Sequence, residues 1–406
     1  MDSLTQIVLG ASMGEVVLGK KLGNRALLWG AIAGTIPDLD VIPGAFMGTE
    51  ANLIFHRGPT HSIVFCVLAP LLFAGLAKWF YKSTLYQKQS YKWVQTFLAL
   101  LVPILPAILL LYGLSSGALS MPLLVPVVVL LILAYIMWRY LYDNYLSARV
   151  YVEEVDYWQW YLMFFLGFIT HVILDAFTTY GTQLYLPFSD YRVSWDVINV
   201  VDPLYTVPFM LCLFVVTNFK RSDRRRAVWN YAGILISSGY IALCAYHKDI
   251  TNKKFERLLS EQEIKSERFM CTPTPFNNIL WYCLCETSTT FETAHFSLLD
   301  AQNRQICLQT YEKSTENPPE VSPVRTLQWF SNDYLFMKSI NEAEWQLADL
   351  RFGHFDFDCK GDMVPPAFSF RLRESSDDGW HLEQDDFEVD DFSEAWQSFV
   401  ARVKGN

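Results

Sequence analysis

Six residues in the first half of the chain have the types and spacing of a metal site. Asp38 and Asp40 stand in Gly34-Thr35-Ile36-Pro37-Asp38-Leu39-Asp40, and His56 and His61 in His56-Arg57-Gly58-Pro59-Thr60-His61-Ser62. The third pair is His171 and Asp175 in His171-Val172-Ile173-Leu174-Asp175. Four residues apart, His171 and Asp175 share one face of a helix and can take one ion or each other. Asp38 and Asp40 flank a single leucine, which in an extended loop points both carboxylates the same way. The Arg-Gly-Pro-Thr between the two histidines reads as a turn, with Thr60 placed to cap a helix that His61 enters. Imidazoles and carboxylates with no cysteine nearby suit Zn²⁺, Mn²⁺ or Fe²⁺ better than Mg²⁺ or Ca²⁺. Six ligands exceed what one tetrahedral zinc takes, so there is room for two ions, or for some of the six to orient the others from behind.

Such a site supports hydrolysis, because a bound divalent ion lowers the pKa of water and polarises a phosphoryl or acyl oxygen. The candidate catalytic residues are Asp38, Asp40, His171 and Asp175, and spacing leaves open which carboxylate is the base. Arg57 and Arg192 are the candidate substrate-binding cations, suited to an anionic group such as phosphate. For Arg57 the competing reading is snorkelling to an interface. Glu15, Asp196 and Asp202 rank second.

These groups lie in elements that belong to a membrane. The 406 residues are 52% hydrophobic and 18% charged, against about a quarter charged in an ordinary soluble domain. Residues 93–138 carry no charge at all. At about 20 apolar residues per span, that run reads as two helices joined by a turn near Ser115–Ser120. Thr60–Phe80, Trp158–Phe177, Pro203–Phe219 and Val228–Tyr246 read as further spans, preceded by the less regular Leu4–Leu18 and Ala26–Ile36. The expected fold is mostly α, a polytopic membrane bundle of about seven or eight helices, with a C-terminal soluble α+β domain. Composition draws the border: residues 1–249 hold 17 Lys/Arg and 15 Asp/Glu, residues 250–406 hold 15 and 27. The acidic balance offers no basic surface for nucleic acid.

The loops fix an orientation. Placing Lys220, Arg221, Arg224, Arg225 and Arg226 in the cytoplasm and alternating sides puts fourteen basic residues of the membrane half inside and three outside. Residues 250–406 then fall on the periplasmic side. At about 1.5 Å per helical residue, Asp38, His61 and His171 all come out in the outer half of the bilayer. Ionisable groups inside a membrane are costly and mark function. Their meeting at one depth turns three short motifs into one site.

The same residues, continued by Tyr180-Gly181 and Pro187-Phe188-Ser189, resemble the YdjM family over about residues 1–220. The opening Met1-Asp2-Ser3-Leu4-Thr5-Gln6 is also similar to that family's start, although many members have His where this chain has Gln6. The resemblance implies a bacterial inner-membrane protein classed with metal-dependent hydrolases. A phosphate ester or similar lipid-linked substrate, reached sideways from the membrane lipids, is the expected partner of a site at that depth. No His-Glu-x-x-His, P-loop or Gly-x-Ser-x-Gly motif supplies a competing chemistry.

The runner-up is a transporter or metal-ion carrier, since intramembrane Asp and His also form ion pathways. That reading expects acids about the midplane and internal repeats, whereas here the acids gather on one side. A third reading, a scaffold without enzymatic activity, leaves the six residues unexplained. In the C-terminal half, Asn278–Leu299, Gln328–Lys338, Phe352–Phe357 and Phe368–Leu372 read as strands, and Phe392–Val403 as a helix. Cys66, Cys212 and Cys244 lie in spans. Cys271, Cys283, Cys285, Cys307 and Cys359 lie in the outer domain, an odd number that leaves at least one unpaired.

Overall fold

The side chain of Asp2 accepts the Thr5 amide at 3.0 Å and so caps helix α1, Ser3–Leu22. Gly23 turns the chain into α2, Asn24–Thr35, which runs back along α1. Gly10 and Gly14 face Gly30 and Gly34 so closely that a Cβ on Gly10 would sit 2.4 Å from the Gly30 carbonyl oxygen. In lipid, small residues of this kind let two backbones pack directly. Pro37 then starts a tight 3₁₀ turn, Pro37–Asp40, that leads into α3, Val41–Gly44. This continuation is bent by 41° from α2. The computed structural model describes residues 1–115, 124–146, 153–301, 304–314, 316, 318–354, 357, 366–375, 379–385 and 392–405. The expected turn near Ser115–Ser120 falls largely outside the described residues, as does Cys359.

The chain continues through α4 (Thr49–Phe55), α5 (Ile63–Lys82), α6 (Gln89–Ser115), α7 (Leu124–Leu141), α8 (Tyr157–Ala176), α9 (Pro203–Thr217) and α10 (Arg224–Glu261). Among the described residues, α5, α6, α7, α8 and α10 are each long and apolar enough to cross a membrane, and α2 with its bent continuation makes a sixth. α9 is apolar but only 15 residues long, and α1 carries Glu15, Lys20 and Lys21. Most of the apolar surface of α6 and α7 is exposed, as expected of helices solvated by lipid. The chain forms two compact units, one of Met1–Pro70 with Leu162–Asn406 and the other of Leu71–Tyr161.

The expected span near Val228–Tyr246 and the charged linker after it are one continuous helix of 38 residues, α10. Its end is held by β1 (Arg268–Pro273), β2 (Leu280–Glu286) and β3 (Thr290–Ser297), where Phe255 and Leu259 pack against Cys271, Trp281, Cys283 and Phe296. With β4 (Gln309–Glu312) these strands form an antiparallel sheet in sequence order. A second antiparallel sheet follows, β5 (Leu335–Asn341), β6 (Glu344–Asp349), β7 (Ser369–Ser375) and β8 (Gly379–Gln384). The strand expected over Gln328–Lys338 divides instead. Its first residues end α11 (Ser322–Phe330), whose Val324, Leu327 and Phe330 recur at helical spacing and are buried. The segment expected as a strand at Phe352–Phe357 begins with a 3₁₀ turn, Leu350–Phe352, opened by Asp349. The last helix, α12, spans Phe392–Val403 as its pattern predicts.

Candidate metal centre

Four of the six expected ligands converge. Asp38 from the turn after α2, His61 from a 3₁₀ turn before α5, and His171 and Asp175 from α8 each offer one atom, all within 4.8 Å of one another. His61 Nε2 lies 3.4 Å from Asp38 Oδ1, 3.3 Å from Asp175 Oδ2 and 3.3 Å from His171 Nε2. His171 Nε2 lies 3.4 Å from Asp38 Oδ1 and 3.3 Å from Asp175 Oδ2. Ligands about 2.0–2.1 Å from a tetrahedral ion stand roughly 3.3–3.4 Å from one another. Five of the six edges of the cluster therefore match a first-row divalent site, and the sixth, between Asp38 and Asp175, is no longer than 4.8 Å. His61, His171 and Asp175 are buried, and Asp38 is the partly exposed member.

Local structure aims each atom. On α8, Gly167 lies so close to Ala33 of α2 that a Cβ would meet the Ala33 Cβ at 2.7 Å. One turn further on, His171 Nδ1 is 2.7 Å from the carbonyl oxygen of Gly34, which leaves Nε2 for the cluster. Asp175 Oδ1 accepts from Gln6 Nε2 at 3.0 Å and also meets the Met1 amine, while Arg57 Nη2 lies 3.3 Å away. Its other oxygen, Oδ2, is buried without a hydrogen bond. An orphaned buried carboxylate oxygen beside two imidazole nitrogens fits a cation.

Asp40 and His56 stand apart from this set. The sequence leads one to expect parallel carboxylates in an extended loop. Pro37 instead winds the segment into a 3₁₀ turn, so Asp38 and Asp40 diverge. Asp40 Oδ1 meets His56 Nδ1 at 2.9 Å. Asp40 Oδ2 accepts the Arg57 amide at 2.9 Å and lies 3.3 Å from His61 Nδ1. Asp40 thus orients His61 from behind, and His56 in turn holds Asp40. Of the six candidate ligands, these four form the one converging group among the described residues, with Asp40 and His56 behind it. Thr60 also departs from expectation. Its hydroxyl donates to Asp40 Oδ2 at 3.2 Å, and Ser62 starts α5 by accepting the Phe65 amide at 3.1 Å.

The two candidate substrate cations are engaged. Arg57 Nη1 donates to Thr178 Oγ1 at 2.9 Å, and its guanidinium lies 4.9 Å from the Tyr180 ring centre. Its buried Nε has no hydrogen-bond partner. Arg192 Nη2 donates to the Gly181 carbonyl at 3.0 Å, among the rings of Tyr180, Trp329 and Phe330. It therefore holds the loop beyond α8. Of the second-rank acids, Glu15 pairs with Arg226 at 2.6 Å, Asp196 with Lys248 at 3.5 Å, and Asp202 caps α9 and accepts from Tyr240 at 2.8 Å. Sequence reasoning set Gln6 aside as a lost ligand and passed over Gly34. Gln6 is 1% exposed and bonded to Asp175. Its place four residues before Gly10, on the glycine face of α1, was the available signal.

No solved structure matches the chain. The inner membrane protein YbcI of Escherichia coli (strain K12) is 35% identical over 75 residues, 18% of this chain. The aligned part spans 41% of the YbcI length. The model of the YdjM inner membrane protein family matches residues 1–115 and 120–250, which include every residue of the cluster. By that match over more than half its length, together with its membrane-capable helices, the chain belongs to the YdjM family of inner membrane proteins.

Proposed function

We propose that this protein is an integral-membrane, metal-dependent hydrolase whose ion is held by Asp38, His61, His171 and Asp175. The observation that carries the reading is the convergence of four ligand atoms, five of whose six separations are 3.3–3.4 Å, as around a tetrahedral ion. Zn²⁺ or Mn²⁺ suits the two imidazoles and two carboxylates better than Mg²⁺ or Ca²⁺. When bound, the ion supplies Lewis acidity and a water of lowered pKa. Asp38 presents Oδ1 to the cluster and is its least buried member, so its second oxygen would be the acceptor of a proton from water. The Gly34 carbonyl and the Asp40 carboxylate hold the tautomers of His171 and His61, and Arg57 offsets the charge of Asp175. A phosphate ester of a membrane lipid is the proposed substrate class.

The cluster and the acidic residues 250–406 are assigned to the periplasmic side. The basic loops support this, as does the disulfide between Cys271 and Cys283, with Cys307 also disulfide-bonded, because such bonds persist in oxidising compartments. Elemental analysis of the purified protein, followed by phosphate release from lipid phosphates with Zn²⁺ or Mn²⁺, tests the reading. One ion per chain and activity lost in His171→Ala are expected. Bound ion without hydrolysis, but with ion flux into proteoliposomes, would replace the hydrolase by a carrier.

A further inference from the structure

A cavity of about 790 Å³ opens where the loop between α8 and α9 meets the C-terminal sheets. Its volume falls in the range of about 300–1,000 Å³ that small-molecule ligands fill. Phe276, Phe352, Phe357, Phe368, Trp396 and Phe399 line it. The charge in its wall is already paired, since Arg351 binds both oxygens of Asp349 at 2.6 and 3.0 Å. His295 in the same wall is held neutral by burial, with His354 and the Arg402 cation adding to the effect. The lining thus rewards hydrocarbon and offers no free ion pair to a charged head group.

Its rim is apolar. Val201, Phe276 and Trp396 are 40%, 47% and 45% exposed, large apolar side chains at one opening. The Phe276 amide donates to the Val201 carbonyl at 3.0 Å, and the Phe276 and Trp396 rings lie 6.2 Å apart. Two residues after Val201 begins the apolar α9, whose Leu204, Val207 and Leu211 are exposed on the same run of chain. An apolar helix with exposed aliphatic side chains therefore begins beside the mouth of the cavity.

We propose that this cavity takes one hydrocarbon chain of a membrane lipid, entering from the bilayer past Val201, Phe276 and Trp396. The inference does not rest on the hydrolase reading, and its test needs neither metal nor turnover. The full-length protein is placed in nanodiscs containing phosphatidylcholine with a diazirine at the end of one acyl chain, irradiated, and mapped by mass spectrometry. Label is expected on Phe352, Phe368 and Trp396 as well as on the spans. Ala367→Trp and Ala395→Trp, which fill the cavity from two walls, should lower the cavity label at least fivefold and leave the span label unchanged as an internal control. Label confined to the spans, or cavity label unaffected by both substitutions, overturns the proposal.

Discussion

His171 Nδ1 and the carbonyl oxygen of Gly34 lie 2.7 Å apart, across the contact between α8 and α2. A main-chain atom of one helix thereby sets which nitrogen of a side chain on another is left to bind an ion. That carbonyl is where it is because Gly34 rests against Gln6, where a Cβ would come within 2.3 Å of the Gln6 carbonyl oxygen.

Gly34→Ala should therefore act on the ion without touching a ligand. The added methyl forces α1 and α2 apart, an overpacking that costs about 1–3 kcal/mol. Misplacing an outer-sphere partner of a metal-bound imidazole costs roughly 10–100-fold in affinity. Chelator competition followed by elemental analysis should show that loss, while circular dichroism retains the helical signal.

Asp40→Asn separates the supporting role from the coordinating one. If Asp40 orients His61 from behind, zinc affinity falls by about 10–100-fold and one ion per chain is still reached at high zinc. Asp38→Ala removes a ligand and should abolish stoichiometric binding. Equal and complete losses in the two variants would return Asp40 to the coordinating set.

His295 makes the C-terminal domain sensitive to acid. Burial, with His354 and Arg402 beside it, holds its pKa well below the ordinary 6.5. As pH falls through 6.5 the unfolded chain takes up a proton that the folded domain refuses, so stability drops by up to about 1.4 kcal/mol per pH unit. Above that value the group contributes no slope. Hydrogen exchange of β3 at pH 7.5 and pH 5 should show faster opening at the lower pH, and His295→Phe should flatten the difference.

Cys271 and Cys283 sit opposite each other in the β1–β2 register and are disulfide-bonded. Breaking the bond by Cys271→Ser with Cys283→Ser should lower the stability of the domain by about 2–4 kcal/mol. An alkaline phosphatase fusion after Lys248 should be active and a green fluorescent protein fusion there dark. The opposite pattern would place the domain in the cytoplasm.

The depth of the charged residues, read from span lengths and basic loops, joins all six in one site, and four of them, Asp38, His61, His171 and Asp175, converge in the structure. The division of labour among the six was not legible. It depends on the 3₁₀ turn at Pro37, which rotates Asp40 away from Asp38, and residue spacing alone does not distinguish that turn from an extended loop. Gln6 and Gly34 were missed for a related reason: one acts through an amide and the other through its backbone, and neither is a ligand type. In the C-terminal half, richness in Trp, Tyr, Phe and Thr marks β2 and β3, whereas Gln328–Phe330 has the composition of a strand and the periodicity of α11.

The unbroken α10 has a mechanical consequence. Its 38 residues reach about 57 Å at 1.5 Å each, nearly twice the hydrocarbon thickness of a bilayer. The membrane end begins in the basic cluster Arg224–Arg226, and the far end is clamped by Phe255 and Leu259 in the core beneath β1 and β2. In a rod of this length a tilt of about 5° displaces a point some 30 Å away by roughly 2–3 Å. With no break between the apolar segment and the residues packed beneath the sheet, a displacement of one is carried directly to the other.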